Sequence, residues 1–138
     1  MYIDTSCLVA FYMPEEFSSG VHKVITSSDS ISVSSITTVE FFSALKKKMR
    51  MGFSSGKETE IAINKFDEHM TKGFFRHIEI EETHFSSAAD LLLQTNTALR
   101  ALDAIHLGIS REEKIKIYSN DSTLLKAAKE YNIQTIEI

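Results

Sequence analysis

The sequence predicts an α/β fold on three observations: short β-prone runs too brief for helices, longer helical stretches between most of them, and polar or turn residues at the joins. Parallel neighbours need a long crossover, which a helix supplies, so this alternation argues a parallel sheet with helices on both faces. The first run is Met1 to Asp4. Pro14, a favourable first-turn residue, predicts a helix over Glu15 to Thr26, and Ser30 to Ser34 is the second strand. A hydroxyl cap and the spacing of Val39, Phe42, Leu45 and Met49 predict a helix from Thr37 to Met51, with a more polar one over Ser55 to Met70. Phe75 to Ile80 is the third strand. Helices over Thr83 to Thr95 and Ala104 to Glu113 then flank the segment Asn96 to Asp103. Ile115 to Ser119 is the fourth strand. Ser122 caps the last helix, whose apolar face is Leu124, Leu125, Ala128 and Tyr131. Asn132 suits the C′ position before a final strand over Thr135 to Ile138.

At 138 residues the chain predicts a single domain, 1–138, able to bury a core without staples. Its longest apolar run, Cys7 to Met13, is far short of the ~20 residues of a membrane span, and the N-terminus has no basic leader. A lone Cys7 forms no intrachain disulfide and reads as buried filling, so the cytoplasm is the expected compartment. One Cys and five scattered His residues exclude a zinc cluster. The net charge of −4 does not advertise a polyanion binder, so any contact with nucleic acid has to be local.

Most acidic residues sit among polar neighbours and read as solvated faces. Four do not: Asp4 ends strand one, Glu40 lies between Val39 and Phe41, Asp103 between Leu102 and Ala104, and Asp121 follows strand four. Each has a plain alternative. Asp4 and Asp103 could cap helices, Asp121 could open a turn and Glu40 could face solvent. Taken together they belong at one edge, because sites in open α/β sheets collect at the carboxyl ends of strands. Two carboxylates about 4 Å apart repel by roughly 4 kcal/mol at an effective dielectric of 20. Proton uptake or a bound cation has to compensate, and an all-oxygen donor set favours Mg²⁺ or Mn²⁺. Such an ion supports phosphodiester hydrolysis. Thr5, Ser6 and Ser119 supply hydroxyls beside the acids, either to orient them or to cap helices and turns.

The stretches Tyr2-Ile3-Asp4-Thr5-Ser6, Thr38-Val39-Glu40-Phe41, Leu99-Arg100-Ala101-Leu102-Asp103-Ala104-Ile105-His106-Leu107 and Tyr118-Ser119-Asn120-Asp121 resemble, in order and spacing, the PIN-domain proteins, and the VapC-like toxins among them. The resemblance implies a three-layer α/β/α sandwich around a five-stranded parallel sheet of order 3-2-1-4-5, which would make Asp4 and Asp121 neighbours. It implies a Mg²⁺- or Mn²⁺-dependent endoribonuclease with Asp4, Glu40, Asp103 and Asp121 as catalytic and metal-binding cluster. It also implies a homodimer, and a cognate antitoxin whose C-terminal segment wraps the toxin and obstructs the site. Members often carry a further acid shortly after the fourth; here residues 122–125 are Ser-Thr-Leu-Leu, which leaves one-metal and two-metal binding open. Gly108 stands where the family often has Ala, at a cost of about 1 kcal/mol in helix propensity, and permits close packing.

Residues 46–76 hold eight of the fifteen basic residues and four acids, so the charge is segregated. Lys46, Lys47 and Arg50 follow Glu40 on its helix and are candidate RNA contacts, with a solvated helix face as the alternative. His106, three residues after Asp103, reads as a packed, hydrogen-bonded histidine rather than a general base. Gly52 to Lys57 imitates a phosphate loop but follows a helix and reads as a helix-to-helix turn. Phe41, Phe42, Phe66, Phe74 and Phe75 read as core or as a partner-helix interface. A catalytically silent domain of this fold, binding RNA or protein, is the competing expectation. An aspartyl-phosphate phosphatase would want an Asp two residues after Asp4, where Ser6 stands.

Overall fold

The computed structural model describes residues 1–136. Five strands, β1 (Tyr2–Ile3), β2 (Ile31–Ser34), β3 (Phe75–Ile78), β4 (Ile117–Tyr118) and β5 (Thr135–Ile136), form one all-parallel sheet in the order β3-β2-β1-β4-β5. The strand order reverses between β1 and β4, so their carboxyl ends, at Asp4 and Ser119, lie side by side. The strands are shorter than the β-prone runs, and residues 137–138 of the last run lie outside the described residues.

Alternation along the strands separates two cores. Ile3, Val33 and Tyr118 face one core, with α1 (Thr5–Tyr12), α2 (Ser18–Thr26), α3 (Ser35–Arg50) and α4 (Gly56–Thr71). Tyr2, Ile78 and Ile117 face the other, with α5 (Glu82–Gln94), α6 (Ala101–Glu112) and α7 (Ser122–Glu130). The result is the three-layer α/β/α arrangement. No helix among the described residues is long and apolar enough to cross a membrane.

Several element boundaries differ from the sequence expectation for local reasons. α1 has no polar stripe: Cys7, Leu8, Val9 and Ala10 are all buried, so helical periodicity is invisible there. α2 begins at Ser18, not after Pro14, because Ser18 Oγ accepts the Glu15 amide at 2.8 Å and donates to the Ala10 carbonyl at 2.7 Å, closing a turn ahead of the helix. The buried face of α3 is Thr37, Phe41 and Leu45, and Val39 is exposed; Ser34 caps the helix in a reciprocal box with Thr37. α7 is capped by Asp121 and not by Ser122: Oδ1 of Asp121 accepts the amides of Thr123 and Leu124. Its buried face is Leu124, Ala127 and Ala128. Asn132 takes the expected left-handed C′ conformation, with φ 56°.

α5 and α6 pack closely, and Gly108 is the reason. A Cβ there would meet the His84 carbonyl oxygen at 2.6 Å and the Ala88 nitrogen at 3.0 Å. Gly52 (φ 78°) lies in the turn between α3 and α4, as expected of that glycine-containing stretch. Phe41, Phe66 and Phe75 are core, whereas Phe74 is half exposed. Cys7 is a buried free thiol whose pKa burial pushes up to about 12, which leaves it inert.

Candidate active site

Asp4 leaves β1 at the switch point and begins α1 without using its side chain as a cap. Its Oδ2 accepts two hydroxyls instead, Ser6 Oγ at 2.6 Å and Ser119 Oγ at 2.8 Å. Ser119 Oγ also accepts the Asp121 amide at 2.9 Å, so one hydroxyl ties the end of β4 to both aspartates. Thr5 Oγ1 donates to Glu40 Oε2 at 2.7 Å. The three hydroxyls expected beside the acids therefore all touch an acid or its backbone.

Asp103 lies in the first turn of α6 and does not cap it; Arg100 occupies the N-cap position. Its Oδ2 is buried and has no hydrogen-bond partner; Arg100 Nε, at 3.5 Å, gives only an ion-pair approach. The other end of the same guanidinium is 4.0 Å from Asp121 Oδ2. Burial holds the Asp103 carboxyl above its ordinary pKa, offset in part by Arg100 and reinforced by the charges of Asp121 and Asp4. Asp4, Asp103 and Asp121 thus share one field at one sheet edge.

Glu40, in the second turn of α3, is drawn toward the same edge by a buried chain of hydrogen bonds. His106 Nε2 is 2.6 Å from Glu40 Oε2, and His106 Nδ1 is 2.7 Å from the Tyr2 hydroxyl. The Tyr2 hydroxyl also contacts Ser34 Oγ at 2.8 Å and Thr37 Oγ1 at 3.0 Å. Partial burial would raise the pKa of Glu40, but the hydrogen bond and positive charge of His106, with Thr5, lower it overall. Burial would lower the pKa of His106; the Glu40 hydrogen bond and the charges of Asp4, Glu40 and Asp103 raise it instead. The histidine is packed and hydrogen-bonded, as the sequence suggested, but its partner is one of the four acids.

Lys46, Lys47 and Arg50 are exposed on the far half of α3. At about 100° and 1.5 Å per residue, Lys47 lies on the Glu40 side of the helix, about 10 Å further along, while Lys46 and Arg50 are rotated away from that line. Tyr2 and Arg100 are the side chains at this edge that the sequence signals least. The signal for Arg100 was its place three residues before Asp103; Tyr2 carried none beyond its position before Asp4.

The family model described as PIN domain matches residues 1–130. The chain belongs to the PIN domain family. Solved structures share its architecture. FitAcB from Neisseria gonorrhoeae superposes with a TM-score of 0.73 at 15% identity, covering 98% of this chain and 95% of that one. VapC20 from Mycobacterium tuberculosis, described as a sarcin-ricin loop cleaving toxin, gives 0.73 at 14% identity, covering 91% and 93%. A toxin-antitoxin complex from Klebsiella pneumoniae gives 0.61 at 16% identity, covering 88% and 86%. At these identities the likeness is one of fold. No curated protein matches the chain in sequence.

The donor chemistry of this PIN domain fits a hard divalent cation: every free donor at the edge is a carboxylate or hydroxyl oxygen, and the buried Oδ2 of Asp103 lacks a hydrogen bond. Among the described residues, however, no three acidic, histidine or cysteine side chains are drawn closely enough together to hold one ion as they stand. Arg100 supplies the positive charge between Asp103 and Asp121.

Proposed function

We propose that this chain is a divalent-metal-dependent endoribonuclease, using Mg²⁺ or Mn²⁺, and the toxin of a toxin-antitoxin pair. The observation that carries the proposal is Asp103 Oδ2, a buried carboxylate oxygen without a hydrogen bond in the shared field of Asp4 and Asp121. Asp4, Asp103 and Asp121 would hold the ion, with Glu40 completing the acidic cluster. A bound dication there supplies positive charge to the scissile phosphate and makes water more acidic. Ser6 and Ser119 fix Asp4, and Ser119 through its backbone contact fixes Asp121. Glu40 Oε2 is occupied by Thr5 and His106, leaving Oε1 to orient the attacking water and accept its proton. Arg100, on the exposed rim, exchanges its carboxylate partners for a phosphate when the ion is in place. Lys47, on the Glu40 side of α3, holds the RNA backbone beyond Glu40, and Lys46 and Arg50, rotated away from that line, contact it where the strand wraps around the helix.

A cognate antitoxin partner is supported by the Klebsiella pneumoniae fold relative, itself described as a toxin-antitoxin complex. The protein is further proposed to act in the cytoplasm as a homodimer of single PIN domains. The open arrangement of the acids around Arg100 favours one second reading, a catalytically silent domain that binds RNA or antitoxin. Cleavage of a mixed RNA pool with and without Mg²⁺ or Mn²⁺ separates the two. Metal-dependent cleavage by the wild type, abolished in Asp4→Asn, is the expected result. RNA or antitoxin binding that persists in Asp103→Asn, with no cleavage by the wild type, supports the silent domain.

A further inference from the structure

The hydrogen-bond chain behind Glu40 runs through buried polar side chains, where apolar ones of similar volume would have no partners to find. Tyr2 and His106 are almost wholly buried, at 0% and 1% exposure, and the contacts linking them to Glu40 and Thr5 measure 2.6 to 2.7 Å. Satisfying the four buried members, Tyr2, Ser34, Thr37 and His106, is demanding, because each must find its partner or bear a desolvation cost. The accounting closes here. His106 Nε2–H donates to Glu40 Oε2 whichever charge the ring carries. With the ring neutral, the Tyr2 hydroxyl donates to Nδ1 and accepts from Ser34 and Thr37, and those two residues are the cap and third residue of the helix that carries Glu40. The chain therefore joins β1, α6 and both the start and the second turn of α3, three of the elements that present the acids.

We propose that Tyr2 and His106 are positioning residues that hold Glu40 in a single orientation, with Oε2 occupied and Oε1 as its one working oxygen. This rests on the proposed nuclease function of the edge. Asp4, Asp103 and Asp121 make no hydrogen bond to the pair, so it governs the Glu40 step and leaves metal and RNA affinity to the other residues. Hydrogen-bonding partners of carboxylates around a metal site typically contribute about 10- to 100-fold to affinity or activity. Here that effect falls on kcat.

The test compares wild type, Tyr2→Phe, His106→Ala and His106→Gln. RNA cleavage is measured with Mg²⁺, Mn²⁺ affinity by the electron paramagnetic resonance of free Mn²⁺, and the His106 ring by ¹⁵N NMR of the metal-free protein. We expect Tyr2→Phe to lower kcat about tenfold and His106→Ala about a hundredfold, with KM and Mn²⁺ affinity within about threefold of wild type. His106→Gln retains an N–H donor for Glu40 and recovers most of the His106→Ala loss. In Tyr2→Phe the Nδ1 resonance moves while the Nε2 proton stays protected from exchange. Should His106→Ala fail to fold, Tyr2→Phe, which keeps the ring, carries the same test. If the wild type binds Mn²⁺ and cleaves RNA, and Tyr2→Phe has kcat within twofold of it, the positioning role is overturned alone. If the wild type neither binds Mn²⁺ nor cleaves, the nuclease proposal falls and the positioning role falls with it.

Discussion

Gly108→Ala probes the packing that places Asp103. The new Cβ would lie 2.6 Å from the His84 carbonyl oxygen, about 0.8 Å short of the 3.4 Å at which ordinary contact begins. The second obstacle, Ala88 N at 3.0 Å, is also backbone, so no side-chain rotation relieves the clash and α5 has to move away from α6. Overpacking of this kind costs about 3 kcal/mol at the upper end of its usual range, and replacing glycine by alanine in a helix returns about 1 kcal/mol. The net loss is about 2 kcal/mol. For 138 residues the unfolding entropy near the midpoint is about 0.29 kcal/mol/K, so Tm falls by about 7 °C. Differential scanning calorimetry measures it. A Tm raised by about 3 °C, the return from helix propensity alone, would refute the close approach of the two helices.

Asp121→Asn keeps a side-chain acceptor for the Thr123 and Leu124 amides, whereas Asp121→Ala loses it; thermal melts should show about 1 kcal/mol lost in the alanine variant and little in the asparagine variant, and on the proposed function both should lower Mn²⁺ affinity. In Asp103→Asn the metal-free protein should be more stable than wild type at pH 7 to 8. The sign follows from the raised pKa: ionised Asp103 disfavours the fold above that value, so the gain should vanish near pH 4, as urea unfolding across pH would show. His106 has the opposite dependence. Its folded pKa lies above its unfolded value of about 6.5, so its contribution is complete below that pH and is lost as pH rises through the folded value. The stability gap between wild type and His106→Gln should therefore narrow as pH rises above about 6.5. Protonation of Glu40, whose pKa is lowered, erodes the same pairing only at acid pH.

The helix layers on both faces of a parallel sheet, and the place of Asp4 and Asp121 at its carboxyl edge, were legible because they depend on features that periodicity and position record. Asp4 and Asp121 follow apolar strands, and a parallel sheet puts such residues at one edge. α1 was not legible, since a helix buried on all sides carries no polar stripe. The start of α2 was displaced because Ser18 closes a local turn that the proline signal outranked in the sequence. Asp121 is legible as an acid of the edge, but the sequence points to Ser122 as the cap of α7, and Asp121 takes that task as well. The Tyr2–His106 contact joins residues 104 positions apart, and nothing local in either segment announces the other. Arg100 shows a different limit: its proximity to Asp103 follows from helix spacing, whereas its approach to Asp121 depends on how α6 meets β4.

Anomalous diffraction from crystals soaked in Mn²⁺ would locate the ion directly. The predicted result is a peak among the carboxylates of Asp4, Asp103 and Asp121, with Arg100 withdrawn from Asp103. A saturated soak with no peak at this edge, or a peak held only by surface carboxylates elsewhere, would contradict it.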